Sequence, residues 1–259
     1  MAPTYSKLIV DLDGTLYRGS RALPGAVETM ARLRSTCEIL FLSNNCNQSA
    51  DHLAQRLRRL NFEAHPHEIV SSVTLMVQAV NELGTGVRVA ALDSGDLSAE
   101  LETAGHCVVK PSQRAEVVIV GVDLNLNYAG LARVLDLVLS GAILIGANAD
   151  PTYPSGTGPL PGAGAFVGAV QGMGFSPSRM CGKPDPWAMR TALELRGFAP
   201  DETCLVVGDR LDSDVLGAQA LGIDSALVLT GASTQADIER LNIRPTYVVE
   251  SLRTLPEKM

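Results

Sequence analysis

Leu8, Ile9 and Val10 form an unbroken apolar run that ends at two carboxylates, Asp11 and Asp13. Such a run suits a strand buried on both faces of a parallel sheet, and a core of that kind does not tolerate unpaired acids. The acids therefore mark the strand's C-terminal end. In extended chain, residues two apart project to the same side, so Asp11 and Asp13 share one face while Leu12 turns back toward the core. The pattern recurs twice. Ile39, Leu40, Phe41 and Leu42 run into Ser43, Asn44 and Asn45, and Cys204, Leu205, Val206 and Val207 run into GDRLDSD, from Gly208 to Asp214. Between the first two runs, residues 23–34 carry Pro24 near a helix start and Val27, Met30, Ala31 and Leu33 at helical spacing. Strand, helix and strand read as a right-handed βαβ unit.

Ser49 is placed to cap a following helix, in which Leu53, Leu57 and Leu60 make an apolar stripe opposite Arg56, Arg58 and Arg59. Those arginines read as a solvated face. Beyond Glu82 the texture changes, with three strand-like runs in LGTGVRVAALD, AEVVIVGVD and AILIGANAD, followed by a glycine- and proline-dense stretch at 148–174. That stretch is too long for a plain connector, so residues 83–181 are expected to form an inserted second domain, with 1–82 and 182–259 as the first. A helix at 187–195 and strands at 226–229 and 247–249 would complete the first sheet. The expected class is α/β with a parallel core sheet.

Composition narrows the function. The 259 residues are 46% hydrophobic with a net charge of −7. A broadly basic nucleic-acid surface is excluded, and any phosphate site must rest on local cations and backbone donors. Five cysteines, odd in number and without CxxC or Cys/His spacing, read as reduced thiols of a cytoplasmic protein. No charged segment precedes a long apolar one at the N-terminus, so no signal peptide is expected. The most apolar long window, 129–147, contains Arg133, Asp136 and Gly141, so no membrane span is expected either.

In open parallel sheets ligands bind beyond the carboxyl ends of the strands, so Asp11, Asp13, Ser43, Asn44 and Asp209 can converge although far apart in sequence. Two neighbouring carboxylates repel, and a divalent cation or a retained proton relieves them. The set suits phosphoryl chemistry. Asp11 would attack phosphorus to give an aspartyl phosphate, while Asp13, kept protonated, would protonate the leaving oxygen and later deprotonate water. Mg²⁺ prefers oxygen ligands, which Asp11, the Asp13 backbone carbonyl and Asp209 would supply. Asp214 would hold a metal-bound water or orient Lys183. Ser43 and the Asn44 N–H would bind phosphate oxygens, with Lys183 as the point charge.

In this order, DLDGTLY, SNN, GKPDPW and GDRLDSD resemble the four motifs of the haloacid dehalogenase superfamily of aspartyl-phosphate phosphatases. The insertion is similar to the α/β cap of the NagD-like branch, through Gly121 to Asp123, Tyr128, Asn148, Asp150 and 161–164. VLTGAS and RPTYVVESL extend the likeness over nearly the whole chain. The resemblance implies a Rossmann-like core, a mobile cap that selects substrate, Mg²⁺ dependence and a small phosphorylated metabolite as partner. The expected substrates are sugar phosphates or nucleoside monophosphates, with glycerol phosphate or pyridoxal phosphate as alternatives. A phosphosugar mutase and a non-catalytic phosphometabolite binder are the readings of other classes. Ala147 and Ala149 depart from the usual threonine and proline of the cap motif. Asn148 and Asp150 therefore stand either as substrate contacts or as a structural turn. No heptad or interface pattern speaks for an oligomer, which leaves a homodimer open.

Overall fold

The computed structural model describes residues 5–110, 113–155 and 158–257. The chain forms two compact units, one of Met1–Ser43, Ala50–Val70 and Lys183–Met259, the other of Asn44–Ser49 and Ser71–Gly182.

The first unit is built on a six-stranded sheet. Its strands lie in the order Tyr247–Val249, Asp224–Val228, Cys204–Gly208, Lys7–Val10, Glu38–Ser43 and Ile69–Ser71. The four junctions from Tyr247–Val249 through Glu38–Ser43 are parallel. From Lys7–Val10 the chain builds outward on one side through Glu38–Ser43, and later on the other through Cys204–Gly208. The strand order thus reverses beside the first strand, and that switch point is where an α/β sheet opens a crevice. Val10 pairs with Phe41 on one side and Val207 on the other, which sets Asp11, Ser43 and Asp209 at neighbouring strand ends.

Burial explains why these strands stay central. Leu8, Val10, Phe41, Leu205 and Val207 are buried in one cluster with Met30 and Leu33 of helix Ala26–Arg34 and Leu53 and Leu57 of helix Ala50–Arg59. Each such side chain contributes about 1.5–3 kcal/mol on leaving water. The expected apolar stripe of Ala50–Arg59 is therefore what fixes that helix's rotation. A two-stranded hairpin, Tyr17–Arg18 with Arg21–Ala22, follows the first strand end.

The second unit has a five-stranded parallel sheet in the order Arg179–Met180, Ile143–Gly146, Val117–Val120, Arg88–Leu92 and Cys107–Val108. Its own core includes Val118, Val120, Val134, Leu137, Leu144 and Val167. The glycine- and proline-dense stretch folds into an antiparallel ribbon, Thr152–Ser155 with Gly158–Pro161, and helix Ala163–Gln171.

Hydropathy places the domain junction after residue 82, whereas the units divide at 70/71 and 182/183 and the second takes in Asn44–Ser49. Polar bonding accounts for the difference. Ser71 caps helix Ser72–Asn81 by accepting from the Thr74 N–H, and its hydroxyl donates to the Gln48 carbonyl at 3.2 Å. Those bonds tie the helix to the short loop and leave no trace in apolar periodicity. Among the described residues no helix is long and apolar enough to cross a membrane.

Candidate active site

Asp11 leaves the central strand with its N–H still bonded to Val207 O at 2.8 Å, so its backbone belongs to the sheet while its side chain stands at the strand's end. Its Oδ1 accepts from Lys183 Nζ at 2.6 Å, and its Oδ2 accepts from Thr15 Oγ1 at 3.3 Å. Lys183 also donates to Asp214 Oδ1 at 2.7 Å and to the Leu42 carbonyl at 2.9 Å. The ammonium is 3% exposed, and Asp11 and Asp214 are 12% and 1% exposed. Burial acts to lower the Lys183 pKa, but the two carboxylates outweigh it and hold the lysine charged, above its ordinary range. Burial pushes Asp11 upward; Lys183 opposes this, and the charges of Asp214 and Asp209 add to it.

Asp214 sits on a π-helical turn, Leu211–Val215, directly after the Cys204–Gly208 strand. Its Oδ2 accepts from the Arg210 N–H at 3.0 Å. Gly208 makes room for it, since a Cβ there would stand 2.1 Å from Asp214 Cγ. Asp209 is buried, and its Oδ2 accepts from the Ala232 N–H at 2.6 Å. Burial, with the Asp214 charge, pushes its pKa up to about 7. Gly14, at φ 86°, closes the turn after Asp13 and leaves the space that Asp209 fills, because a Cβ would lie 2.4 Å from Asp209 Oδ2.

Carboxylate oxygens of Asp11, Asp209 and Asp214 all lie within 4.8 Å of one another. Three carboxylates against one ammonium leave an excess of negative charge in a buried place. An all-oxygen donor set with that excess fits a hard divalent cation, and its two positive charges would offset the surplus. Asp13 stands apart from this group. Its side chain is 33% exposed, its Oδ2 accepts from Tyr17 Oη at 3.1 Å, and Arg56 Nη2 lies 4.0 Å from its Oδ1. Burial raises its pKa, while Arg56, Tyr17 and Lys183 pull it down.

Ser43 is buried at the end of its strand. In the second unit, Asn148 Nδ2 donates to the Asn44 carbonyl at 2.6 Å, and Asn148 Oδ1 accepts from the Asp150 N–H at 3.1 Å. Asp150 Oδ2 accepts from Asn44 Nδ2 at 3.1 Å. Asn148 and Asp150 therefore form a turn that grips Asn44. Three further residues escaped the sequence reading. Ala232 lies in the TGAS segment, whose small residues after a strand were the available signal. Tyr17 closes DLDGTLY, and Arg56, expected on a solvated face, is half-buried with its guanidinium over the Tyr17 ring. Arg58 and Arg59 are exposed, as expected.

The haloacid dehalogenase-like hydrolase family model matches residues 8–107, and a HAD-hydrolase-like model matches residues 180–255. An acid sugar phosphatase of Staphylococcus aureus is 33% identical over 96% of this chain and 95% of its own length. Among solved structures, a p-nitrophenyl phosphatase from Archaeoglobus fulgidus superposes with a TM-score of 0.92 at 32% identity, covering 99% of this chain and 100% of that one. A glycerol phosphate phosphatase from Mycobacterium tuberculosis, solved with magnesium, gives 0.88 at 35% identity over 97% of this chain and 76% of that one. The chain belongs to the haloacid dehalogenase-like hydrolases, in the branch that includes NagD from Escherichia coli.

Proposed function

We propose that this chain is a Mg²⁺-dependent phosphatase of small phosphomonoesters, with sugar phosphates and nucleoside monophosphates as the leading substrate classes. One observation carries the reading: a buried lysine shared by Asp11 and Asp214, with Asp209 within reach of the same ion. A phosphoryl group in flight spreads negative charge over its equatorial oxygens, so catalysis is mainly positioning and charge neutralisation. Asp11, oriented by its ion pair with Lys183, attacks phosphorus as the carboxylate. The ester P–O bond breaks as Asp13 delivers its proton to the leaving oxygen. Asp13 then takes a proton from water, whose oxygen attacks the aspartyl phosphate, releasing inorganic phosphate and the Asp11 carboxylate.

Ser43 and the Asn44 N–H take phosphate oxygens, and Lys183 adds its charge on the same group. Asp214 orients Lys183, to which it is already bonded. Asp11, Asp209 and the Asp13 backbone carbonyl would hold Mg²⁺, which supplies charge neutralisation on the phosphoryl oxygens. The second unit, with the Asn148–Asp150 turn, acts as the cap that selects substrate. Glycerol phosphate is the second substrate reading, supported by the 35% identity to the mycobacterial enzyme. Among the described residues the five cysteines form no disulfide, and four of them are buried, which suits a reducing cytoplasm. A homodimer remains a further expectation of the sequence reading.

The test is phosphate release from a metabolite panel with and without Mg²⁺. Hydrolysis should need the ion and fall by roughly 10⁴ or more in Asp11→Asn, as when a nucleophile is removed. Undiminished turnover in that variant excludes the mechanism, and an isomeric phosphate in place of inorganic phosphate points to a mutase.

A further inference from the structure

We infer that Tyr17 and Arg56 are positioning residues for Asp13: they hold its carboxylate in one rotation, so that Oδ1 is the oxygen that exchanges the proton. The inference rests on the reading of Asp13 as the acid-base group.

The geometry is local to the first unit. Tyr17 is fully buried and begins the hairpin strand Tyr17–Arg18, while its carbonyl accepts from the Gly14 N–H at 2.8 Å. The turn bearing Asp13 and the residue bearing the phenol are thus one closed piece of backbone. A buried phenol needs a partner for its hydroxyl, and here that partner is Asp13 Oδ2 at 3.1 Å. A donor on one carboxylate oxygen sets the rotation of the group and directs the other oxygen elsewhere.

Arg56 secures the phenol through the face of its ring. Its Cζ lies 4.5 Å from the Tyr17 ring centroid, and its Nη2 donates to the Gly19 carbonyl in the hairpin turn at 3.0 Å. A guanidinium so placed is attracted electrostatically by the quadrupole of the ring. The same Nη2 is 4.0 Å from Asp13 Oδ1, too far for a hydrogen bond. Arg56 therefore walls Oδ1 with charge and does not occupy it. Leu53 and Leu57, buried on the same helix, hold the guanidinium in this place.

General acid catalysis matters most when the leaving oxygen is basic. That gives a readout which loss of packing alone does not produce. The experiment compares kcat/KM for phenyl phosphate and p-nitrophenyl phosphate, similar in shape but different in leaving-group basicity. It uses wild type, Asp13→Asn, Tyr17→Phe, Arg56→Met, Arg56→Lys, and the first two single changes combined. Asp13→Asn should lose far more on phenyl phosphate than on the nitro ester. Tyr17→Phe and Arg56→Met should lose roughly tenfold more on phenyl phosphate, a part of the 10²–10⁴ that a general acid supplies. Arg56→Lys should fall between, and Tyr17→Phe should add nothing to the leaving-group dependence once Asp13 is Asn. Equal losses on both esters, or losses that multiply in the Asp13→Asn background, overturn the inference. An unchanged ratio in Asp13→Asn itself instead sinks the acid-base reading. Melting temperatures accompany each variant, and the Arg56 pair carries the same comparison if Tyr17→Phe does not fold.

Discussion

Both units place acids where parallel strands end, yet the two sets find their partners in opposite ways. In the second unit, Asp93 follows Arg88–Leu92 and its Oδ2 accepts from the Gly95 N–H at 2.9 Å. Asp123, three residues past Val117–Val120, accepts from the Asn125 N–H at 2.8 Å and from Ser94 Oγ at 3.4 Å. In each case a backbone donor two residues away closes an Asx turn. In the first unit, Asp11 finds Lys183, 172 residues along the chain, and shares it with Asp214. A carboxylate closed by its own turn is structural. One that waits for a distant cation, and then shares it, leaves charge uncompensated and ready for a ligand.

Removing the shared cation should break the comparison most severely. Lys183→Met leaves Asp11 and Asp214 buried without their counter-charge, and losing one partner of such a pair costs about 3–5 kcal/mol. A thermal melt should show the loss, and kcat should fall by about 10²–10³, as when a preorganised charge-stabilising donor is deleted. An unchanged melting temperature would mean that the ion pairs of Lys183 with Asp11 and Asp214 contribute nothing to the fold.

A smaller effect is expected from Gly208→Ala. The new Cβ meets Asp214 and must displace it, with Lys183 following. Misplacement of a catalytic group by about 1 Å costs about 10² in rate. The loss should appear in kcat, with the fold intact by circular dichroism.

The smallest effect belongs to the second unit. Burial lifts Asp93 from 3.8 to about 6, so the folded state binds more protons than the unfolded one between those values. Stability should therefore decline as pH rises from about 4 to 6. Asp93→Asn keeps an acceptor for the Gly95 N–H and should remove one group's share of that slope in urea titrations while kcat holds. A loss of turnover there would give the cap acid a role that its closed turn does not predict.

Much of the first unit was legible in the sequence. Unbroken apolar runs at Leu8 and Ile39 and before Gly208 announced buried parallel strands, and Asp11, Ser43 and Asp209 stand at their ends. The domain junction was less legible, because the Ser71 cap and its bond to Gln48 are polar contacts with no apolar period. Arg56 was misread for a related reason. Helical spacing put it opposite Leu53 and Leu57, but the hairpin after Asp13 reaches over that helix flank and brings the Tyr17 ring under the guanidinium. Local periodicity sees one helix at a time and knows nothing of what packs against its far side.

By itself the sequence determined which residues end the buried strands and which chemistry those residue types allow, because strand burial and turn formation are short-range. Only the tertiary structure decided which acids share Lys183, that the Ala232 N–H grips Asp209, and that Tyr17 and Arg56 flank Asp13. Those approaches are set by strand order and register across a sheet, where residues far apart in sequence meet within a few ångström.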